Sequence, residues 1–174
     1  MVAAPIITSR LRLEALYPET IESLLAHDIA SAQSIQGTVF CKEFLESADE
    51  TFLYIQLEQM KSRPSSQEWG VRIIVRKEDG EVIGHCGFHG PPEIIGKTEI
   101  GYTILSGYRR QGYAVEAARG LADWARLQGS AVVFASVSPG NSASIGVLKR
   151  LGFVITGVRD DEVDGQEYIY ELAL

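Results

Sequence analysis

The sequence contains few cysteines and no long hydrophobic run. Cys41 and Cys86 are the only cysteines among 174 residues, too few for a disulfide framework, which favours a reducing compartment. Apolar runs such as residues 131–135 are far shorter than the roughly 20 residues that cross a bilayer. The first residues have no basic segment followed by an apolar run, so no signal peptide is indicated. We therefore expect a cytoplasmic protein that does not enter a membrane.

Positive charge is also scarce. Sixteen lysines and arginines stand against 23 aspartates and glutamates, for a formal net charge of −7. A nucleic-acid binder normally carries a basic face, so nucleic acid is not an expected partner, whereas a cationic amine is. The motifs that bind ATP or dinucleotides, Gly-x-x-x-x-Gly-Lys-Ser/Thr and Gly-x-Gly-x-x-Gly after a strand, do not occur. With 45% apolar residues, residues 1–174 predict a single globular domain.

Hydrophobic spacing predicts an α/β protein. A first strand covers residues 10–15, and a helix follows from Pro18 through Ile29. Ser47 to Glu50 matches a capping box that opens a second helix, and residues 31–42 show no clear pattern, so a lid there stays open. Asp79-Gly80 and Asp164-Gly165 predict hairpins. The predicted order is β-α-α-β-β-β-α-β-α-β-β, which gives a mixed, mostly antiparallel sheet with a central parallel β-α-β crossover and helices on both faces.

The segment from Thr98 to Gly129 has the most informative pattern. A strand at residues 99–104 leads into a basic, glycine-containing loop, and a helix begins at Tyr113. The first N–H groups of a helix lack intrahelical acceptors and carry partial positive charge, so this arrangement suits a phosphate group. The alternative is an ordinary strand–loop–helix with solvated arginines.

Two motifs in this order resemble the GNAT superfamily of acetyl-CoA-dependent N-acetyltransferases. Residues 109–114, Arg-Arg-Gln-Gly-Tyr-Ala, match its Arg/Gln-x-x-Gly-x-Gly/Ala signature. Asn141-x-x-Ser144, followed by residues 148–153, resembles its later Asn-x-x-Ser/Ala…Gly-Phe helix. The pattern around residues 98–102 and 112–117 is most similar to the RimJ/RimL-type branch, which acetylates protein N-terminal amines.

The resemblance implies acetyl-CoA as co-substrate and no metal. The pyrophosphate would lie on the N–H groups from Arg110 to Ala114, and the pantetheine arm would pair with the central strand, as an added strand does. Asn141 would reach a pantetheine amide, although a plain helix cap explains it as well. The implied cofactor-binding residues are Tyr102, Thr103, Ile104, Arg109, Arg110, Gln111, Gly112, Tyr113, Ala114, Asn141 and Ser144.

For catalysis, the resemblance and the residue chemistry nominate Glu99 and Ser144. Glu99 is the candidate base because it lies on the strand beside the expected thioester, and a solvated carboxylate is its alternative. A backbone N–H of Tyr102 or Thr103 would polarise the carbonyl. Many members place a tyrosine acid where this chain has Leu148, so Ser144 is expected to donate a hydrogen bond to the leaving thiolate. Glu116 is better explained by compensation of the helix dipole.

His85 and His89 are predicted to line the acceptor site. A zinc site formed with Cys86 is disfavoured because Cys86 would point to the opposite face of a strand. At neutral pH an α-amine, with a pKa of about 7.7–8.0, is deprotonated far more often than a lysine, with a pKa of about 10.4. A site with one modest base therefore favours an α-amine of a peptide or small molecule, and the acidic residues 160–164 could attract such a cation.

Two other functions stay open at this stage. The chain could be a coenzyme-A-binding sensor without catalysis, which the missing tyrosine permits, or a transferase of the same fold for another acyl group such as succinyl. The second would need basic residues at the acyl end. The sequence allows either a monomer or a homodimer.

Overall fold

One eight-stranded sheet organises the protein. A computed structural model describes residues 3–48, 50–62, 64–92, 96–161 and 165–174. Within them the strands are β1 (Ile6–Ile7), β2 (Leu11–Ala15), β3 (Val71–Arg76), β4 (Val82–Phe88), β5 (Lys97–Ile104), β6 (Val132–Val137), β7 (Val154–Asp161) and β8 (Gly165–Ala173). Their order across the sheet is β1-β2-β3-β4-β5-β6-β8-β7. The predicted mixed sheet is confirmed.

Six α-helices lie within the same residues. They are α1 (Pro18–Leu25), α2 (Ile29–Gln36), α3 (Lys42–Ser47), α4 (Glu50–Ser62), α5 (Tyr113–Leu127) and α6 (Ser142–Leu151), with 3-10 turns at Pro64–Trp69 and Ser106–Tyr108. Pro18 begins α1 as expected. Asn141 caps α6, because its side-chain oxygen accepts a hydrogen bond from the Ser144 N–H.

The strands β5 and β6 form the one parallel pair of the described sheet. Helix α5 connects them, as the predicted crossover requires. Their pairing covers three residue pairs and ends at Glu99 opposite Phe134. Beyond that point the two strands separate, while β5 stays paired with β4 through Ile104. One edge of β5 is therefore left with unpaired backbone groups.

Apolar side chains form a core on each face of the sheet. On one face, Ile100 and Ile104 of β5 pack with Leu121 of α5 and Leu148 of α6. On the other face, residues of β3 and β4 pack against α1 to α4, and Leu53, Leu57 and Met60 supply the predicted inner stripe of α4. The helices thus cover both faces of the sheet, as predicted.

Several local predictions were wrong. Ile29 does not continue the first helix: the chain turns at His27, and Asp28 caps the separate helix α2 through its hydrogen bond with the Ser31 N–H. Ser47 ends α3 and donates its hydroxyl to the Phe44 carbonyl instead of capping α4. Residue 49 of the predicted capping box lies outside the described residues. The segment 31–42, which lacked a clear pattern, contains most of α2 and the start of α3.

The two predicted hairpins pair as expected. The strands β3 and β4 are antiparallel around Gly80, which has a left-handed backbone (φ 77°). The strands β7 and β8 are antiparallel up to Asp161 opposite Gly165. Residues 162–164 of the acidic loop, including Asp164, lie outside the described residues. In the described part of the chain, no helix is long and apolar enough to cross a membrane.

Gly84 lets β4 approach β5 closely. A Cβ at this position would lie 2.1 Å from the Thr103 carbonyl oxygen, a backbone atom that cannot rotate away. The pairing of β3 with β4 also shifts register beside this residue, between Ile74 and Val75. A glycine at residue 84 therefore sets where Thr103 lies in the sheet.

Replacing this glycine should be costly. We expect Gly84→Ala to lower the free energy of unfolding by about 1–3 kcal/mol, because the methyl group forces β4 and β5 apart. Chemical denaturation of both proteins measures the change. Gly146→Ala is the matched control: residue 146 is an exposed helical position with no neighbour within 4 Å of the added Cβ, so it should leave stability equal or up to about 1 kcal/mol higher. Equal stability of Gly84→Ala and the wild type would contradict the close approach.

Candidate functional site

A cavity of about 800 Å³ lies beside β5 where that strand has left β6. It is bounded by the end of β5, the loop that follows, the first turn of α5 and the first turns of α6. Its lining residues are Tyr102, Thr103, Ile104, Tyr108, Arg109, Arg110, Gly112, Tyr113, Ala114, Val115, Asn141, Ser142, Ala143, Ser144, Val147 and Arg150. Ten of the eleven residues predicted to bind the cofactor are among them. The exception is Gln111, whose side-chain amide instead donates to the Gly107 carbonyl at 3.5 Å.

The α5 end of the cavity presents free backbone donors. The first backbone hydrogen bond at this end runs from the Glu116 N–H to the Gly112 carbonyl. The N–H groups of Tyr113, Ala114 and Val115 have no acceptor among the described residues. Gly112 has φ of 83°, and Arg110 adopts φ of 60°, which is uncommon for a residue with a side chain. This turn directs successive N–H groups and the positive end of the helix dipole into one cavity, an arrangement that suits an anion.

Arg10 stabilises this loop from the far end of the sheet. Its Nη1 donates to the Gln111 carbonyl at 3.1 Å, and its guanidinium lies 4.4 Å from the ring centre of Tyr113. Glu116 accepts from the Arg10 Nε at 2.7 Å and from the Thr8 hydroxyl at 2.7 Å. Glu116 lies in the first turn of α5, where its charge compensates the helix dipole, but its main partners, Thr8 and Arg10, are in the turn between β1 and β2. Arg10 was missed in the sequence because this contact joins residues about a hundred positions apart.

Three arginines line the cavity, and they differ in their contacts and in the element that carries them. Arg109 donates from Nε to the Ile104 carbonyl at 2.9 Å, which anchors the loop to the end of β5. Arg110 is exposed beside the free N–H groups. Arg150 comes from α6 and was not predicted. Helical spacing could have revealed it, because Ala143, Val147 and Arg150 recur at steps of four and three residues and so share one helix face.

The first turn of α6 places Asn141 and Ser144 on the cavity wall. The Asn141 Oδ1 accepts from the Ser144 N–H at 3.1 Å, so the predicted helix cap is real, and the same side chain also lines the cavity. The Tyr102 hydroxyl donates to the Ser144 carbonyl at 3.3 Å, and burial raises the pKa of Tyr102 to about 12. The Tyr102 hydroxyl thus lies on this wall as well, with its hydrogen donated to the Ser144 carbonyl. Leu148 is fully buried in the core and does not line the cavity.

Glu99 does not line this cavity, and its carboxylate lies between an imidazole and a guanidinium group. Its carboxylate lies 3.3 Å from the His89 Nδ1 and 4.0 Å from the Arg159 Nη2. Burial alone would raise the pKa of Glu99, but His89, the Ser136 hydroxyl and Arg159 outweigh it and hold the pKa below its usual range. Ser136 faces the carboxylate without a hydrogen bond of ordinary geometry to any described residue. Arg159 also binds Glu167 at 2.7 Å.

The two predicted acceptor histidines occupy different environments. His85 lies opposite Thr103 in the sheet and packs on the Phe52 ring, with ring centres 5.0 Å apart; burial lowers its pKa. His89 lines a second cavity, of about 240 Å³, between α4, the 3-10 turn before β3 and the end of β4. The structure thus brings His89, and not His85, next to Glu99.

The arrangement around Cys86 does not favour a metal. Cys86 is buried in the core that contains Ile100 and Ile104, and burial raises its thiol pKa to about 12. His85 projects from the other face of the strand toward Phe52. Among the described residues, no group of three or more histidine, cysteine, aspartate or glutamate side chains could bind a metal ion.

Comparisons with known proteins point to one family. Residues 10–154 match the family model described as an acetyltransferase (GNAT) domain. The chain is 38% identical over 84 residues to the uncharacterized N-acetyltransferase YjdG of Bacillus subtilis, covering 48% of this chain and 50% of that protein. It is 37% identical over 92 residues to the L-methionine sulfoximine/L-methionine sulfone acetyltransferase of Pseudomonas aeruginosa, covering 51% and 54%. The chain thus spans about half the length of these curated relatives.

Solved structures share the fold along the whole chain. The ribosomal L7/L12 alpha-N-protein acetyltransferase RimL superposes with a TM-score of 0.68 at 16% identity, covering 100% of this chain and 96% of that one. The ribosomal-protein-S5-alanine acetyltransferase of Vibrio fischeri superposes with a TM-score of 0.66 at 16% identity, covering 98% and 96%. At these identities the likeness concerns the fold alone.

The turn at the start of α5 can be tested directly. We expect Gly112→Asp to abolish the thermal stabilisation by acetyl-CoA, because the substitution adds bulk and negative charge beside the free N–H groups. For the wild type at a hundredfold excess over Kd, that stabilisation corresponds to about 2.7 kcal/mol. Differential scanning fluorimetry with and without acetyl-CoA measures the loss.

The matched control lies at the other end of the same helix. Gly129 has φ of 85° and open space around it, so Gly129→Asp introduces the same side chain into the same backbone conformation and should keep the acetyl-CoA response. An acetyl-CoA response of Gly112→Asp equal to that of the control would refute the anion site.

Proposed function

The chain belongs to the GNAT acetyltransferase family, and on that basis we propose that it transfers the acetyl group of acetyl-CoA to a primary amine. The observation that carries this proposal is the large cavity beside the unpaired edge of β5, with free helix N–H groups and arginines at one end. A ligand with an anionic end and an amide-bearing arm complements both parts of this cavity. The cavity lining would bind coenzyme A.

The two ends of coenzyme A would contact different elements. The pyrophosphate accepts from the N–H groups at the start of α5, and Arg110 and Arg150 add positive charge there. The pantetheine arm pairs with the free edge of β5 along Tyr102, Thr103 and Ile104, because its amides match the spacing of strand backbone groups. This pairing places the thioester toward the Glu99 end of the strand.

The transfer then needs donors at two positions. The backbone N–H of Tyr102 would stabilise the oxyanion that develops when the amine attacks the thioester carbonyl. The N–H of Thr103 is not available for this role, because Thr103 lies opposite His85 on the edge of β5 that pairs with β4. The leaving thiolate would accept a hydrogen bond from the hydroxyl of Ser144, which lies in the first turn of α6 and lines the cavity. Tyr102 provides a second hydroxyl at the same wall, and its pKa of about 12 keeps it protonated at neutral pH.

The surroundings of Glu99 favour acetyl over a dicarboxylic acyl group. Among the described residues, Arg159 is the arginine that faces the Glu99 carboxylate, and Glu167 already binds this arginine through both Nε and Nη2. A succinyl carboxylate would meet no free cation at this point of the described structure. The alternative function is that of a non-catalytic coenzyme-A sensor, which would release no thiol from acetyl-CoA in the presence of an amine.

For the acceptor we propose an α-amine, on a peptide or on a small molecule. An α-amine is deprotonated at neutral pH far more often than a lysine side chain, so it needs less help from a base. The names of the relatives include both classes: the Pseudomonas aeruginosa relative acetylates amino-acid analogues, and RimL acetylates a protein α-amine. Asp160 and Asp161, at the end of β7, add negative charge on the acceptor side.

Acceptor choice is testable with one peptide. On a peptide that carries a free N-terminus and an internal lysine, we expect acetyl-CoA-dependent acetylation at the α-amine, with thiol release at the same rate. Mass spectrometry locates the acetyl group, and an N-terminally blocked peptide is the control. Exclusive acetylation of the lysine would overturn the α-amine proposal and leave acetyl transfer intact.

The role of Ser144 predicts a separation of rate from affinity. Ser144→Ala should lower kcat by about tenfold, since the thiolate loses one hydrogen bond of about 1.5 kcal/mol, and should leave the acetyl-CoA Kd nearly unchanged. Steady-state kinetics and calorimetric binding measure the two quantities. Ser23→Ala, on the exposed face of α1, is the control. If Ser144→Ala changes Kd and not kcat, the hydroxyl serves binding alone.

A further inference from the structure

We propose that His89 is the general base of the transfer and that Glu99 is the residue that positions it, an inference that rests on the proposed acetyltransferase function. The two residues are neighbours at the point where β5 leaves β6. The His89 N–H donates to the Glu99 carbonyl at 3.0 Å, which extends the β4–β5 ladder by one step. Their side chains therefore leave the same face of the sheet side by side.

The His89 imidazole lies between the Glu99 carboxylate and the backbone of Gly101. Its Nδ1 lies 3.3 Å from the Glu99 Oε2. Its Nε2 lies over Gly101, where an added Cβ would come within 3.2 Å of that nitrogen. A glycine at residue 101 thus leaves room for the ring. Because Tyr102 and Thr103 follow directly and line the cavity, Nε2 faces the stretch of β5 on which the thioester would lie.

Exposure and charge separate the roles of the two side chains. The Glu99 side chain is 15% exposed, whereas the His89 side chain is 61% exposed and so accessible to an incoming amine. Glu99 also faces Arg159, and His89, Ser136 and Arg159 together hold the pKa of Glu99 below its usual range, which makes it a weak proton acceptor. A carboxylate beside Nδ1 instead keeps the proton on that nitrogen, which leaves the Nε2 lone pair free.

The proposed step balances without any further reactant. The Nε2 lone pair takes a proton from the amine as the amine nitrogen bonds to the thioester carbonyl carbon. The C–S bond then breaks, and its electron pair leaves with the sulfur as thiolate. The products are the N-acetylated amine, coenzyme A thiolate and an imidazolium paired with Glu99. The imidazolium returns its proton to solvent before the next turnover.

Among the described residues, those around the imidazole are few and mostly uncharged. Glu99 faces it from β5, and Arg159 reaches Glu99 from β7. The side chains that line the adjacent cavity from α4 and the 3-10 turn include Gln56, Gln59 and Gln67, which carry no charge. A loss of rate on acidification that depends on residue 89 can thus be assigned to the His89–Glu99 pair.

Kinetics of paired variants test the proposal. His89→Ala should lower kcat by about a hundredfold or more, the range of general-base catalysis, with the acetyl-CoA-induced thermal shift unchanged. Added imidazole should restore part of the kcat of His89→Ala, which a structural role would not explain. Glu99→Gln should lower kcat by about tenfold and reduce the Nδ1–H tautomer of His89, measured from the imidazole 15N shifts. The acid limb of the kcat–pH profile should be present in the wild type and absent in His89→Ala.

Matched controls exist for both residues. His27→Ala removes an exposed histidine whose Nε2 lies 3.6 Å from Glu50, away from both cavities, and Glu171→Gln removes a carboxylate on the same sheet that binds Lys97. Both should keep the wild-type kcat. A wild-type kcat in His89→Ala, or the same acid limb with and without His89, would overturn the base assignment. A wild-type kcat and tautomer in Glu99→Gln would overturn the positioning role.

Failure of the proposed function has a different signature. If the wild-type protein transfers no acetyl group to any amine of a panel of peptides and amino acids, the acetyltransferase function fails, and the base assignment with it. If only the assignment of His89 and Glu99 is wrong, the wild-type protein still transfers the acetyl group, and this transfer still depends on Gly112. The His89 variants then match their controls.

Discussion

The early end of the β5–β6 pairing is the constraint on which the site depends. A parallel pair normally continues along both strands, and each lost pairing leaves donors and acceptors that need other partners. Here the pairing ends after three residue pairs, so the rest of β5 has one free edge, which faces the cavity. The close approach at Gly84 keeps that part of β5 on β4 instead. The sheet thus remains continuous on one side and offers strand-like hydrogen bonds on the other.

Charge in the site is organised by contacts between distant segments. Arg10 and Glu116 join the first hairpin to the start of α5 and support the left-handed turn at Arg110 and Gly112. At the other end of β5, the Glu99 carboxylate lies between His89 and Arg159. The cavity is therefore positive at its α5 end, for a phosphate-bearing ligand, whereas the far end of β5, outside the cavity lining, carries a buried carboxylate beside an exposed imidazole. In our proposals, cofactor binding and proton transfer therefore take place at opposite ends of β5.

The helices α1 to α4 determine which parts of the sheet remain accessible. They cover β3 and β4 with the second core, and Phe52 of α4 packs on His85. The ring of His85 is thereby removed from solvent, and burial lowers its pKa. His89 lies just beyond the end of the same strand, and its side chain is 61% exposed. Two histidines four residues apart thus differ in exposure because one packs against a helix.

The sequence by itself determined the elements whose information is local. The strand–loop–helix at residues 98–129, the Asn141 cap and the element order from β3 onward follow from periodicity, glycine positions and capping chemistry, which act over a few residues. Before β3 the described residues form two strands and four α-helices, where one strand and two helices were predicted. The separate helix α2, the Arg10 support, Arg150 on the cavity wall and the His89–Glu99 contact were decided only by the tertiary structure. Each of these depends on which surfaces meet after the sheet forms, and side chains far apart in sequence have no periodic signal that links them. For the same reason the sequence singled out Glu99 and His89 but neither their contact nor the Arg159 side chain that faces the carboxylate.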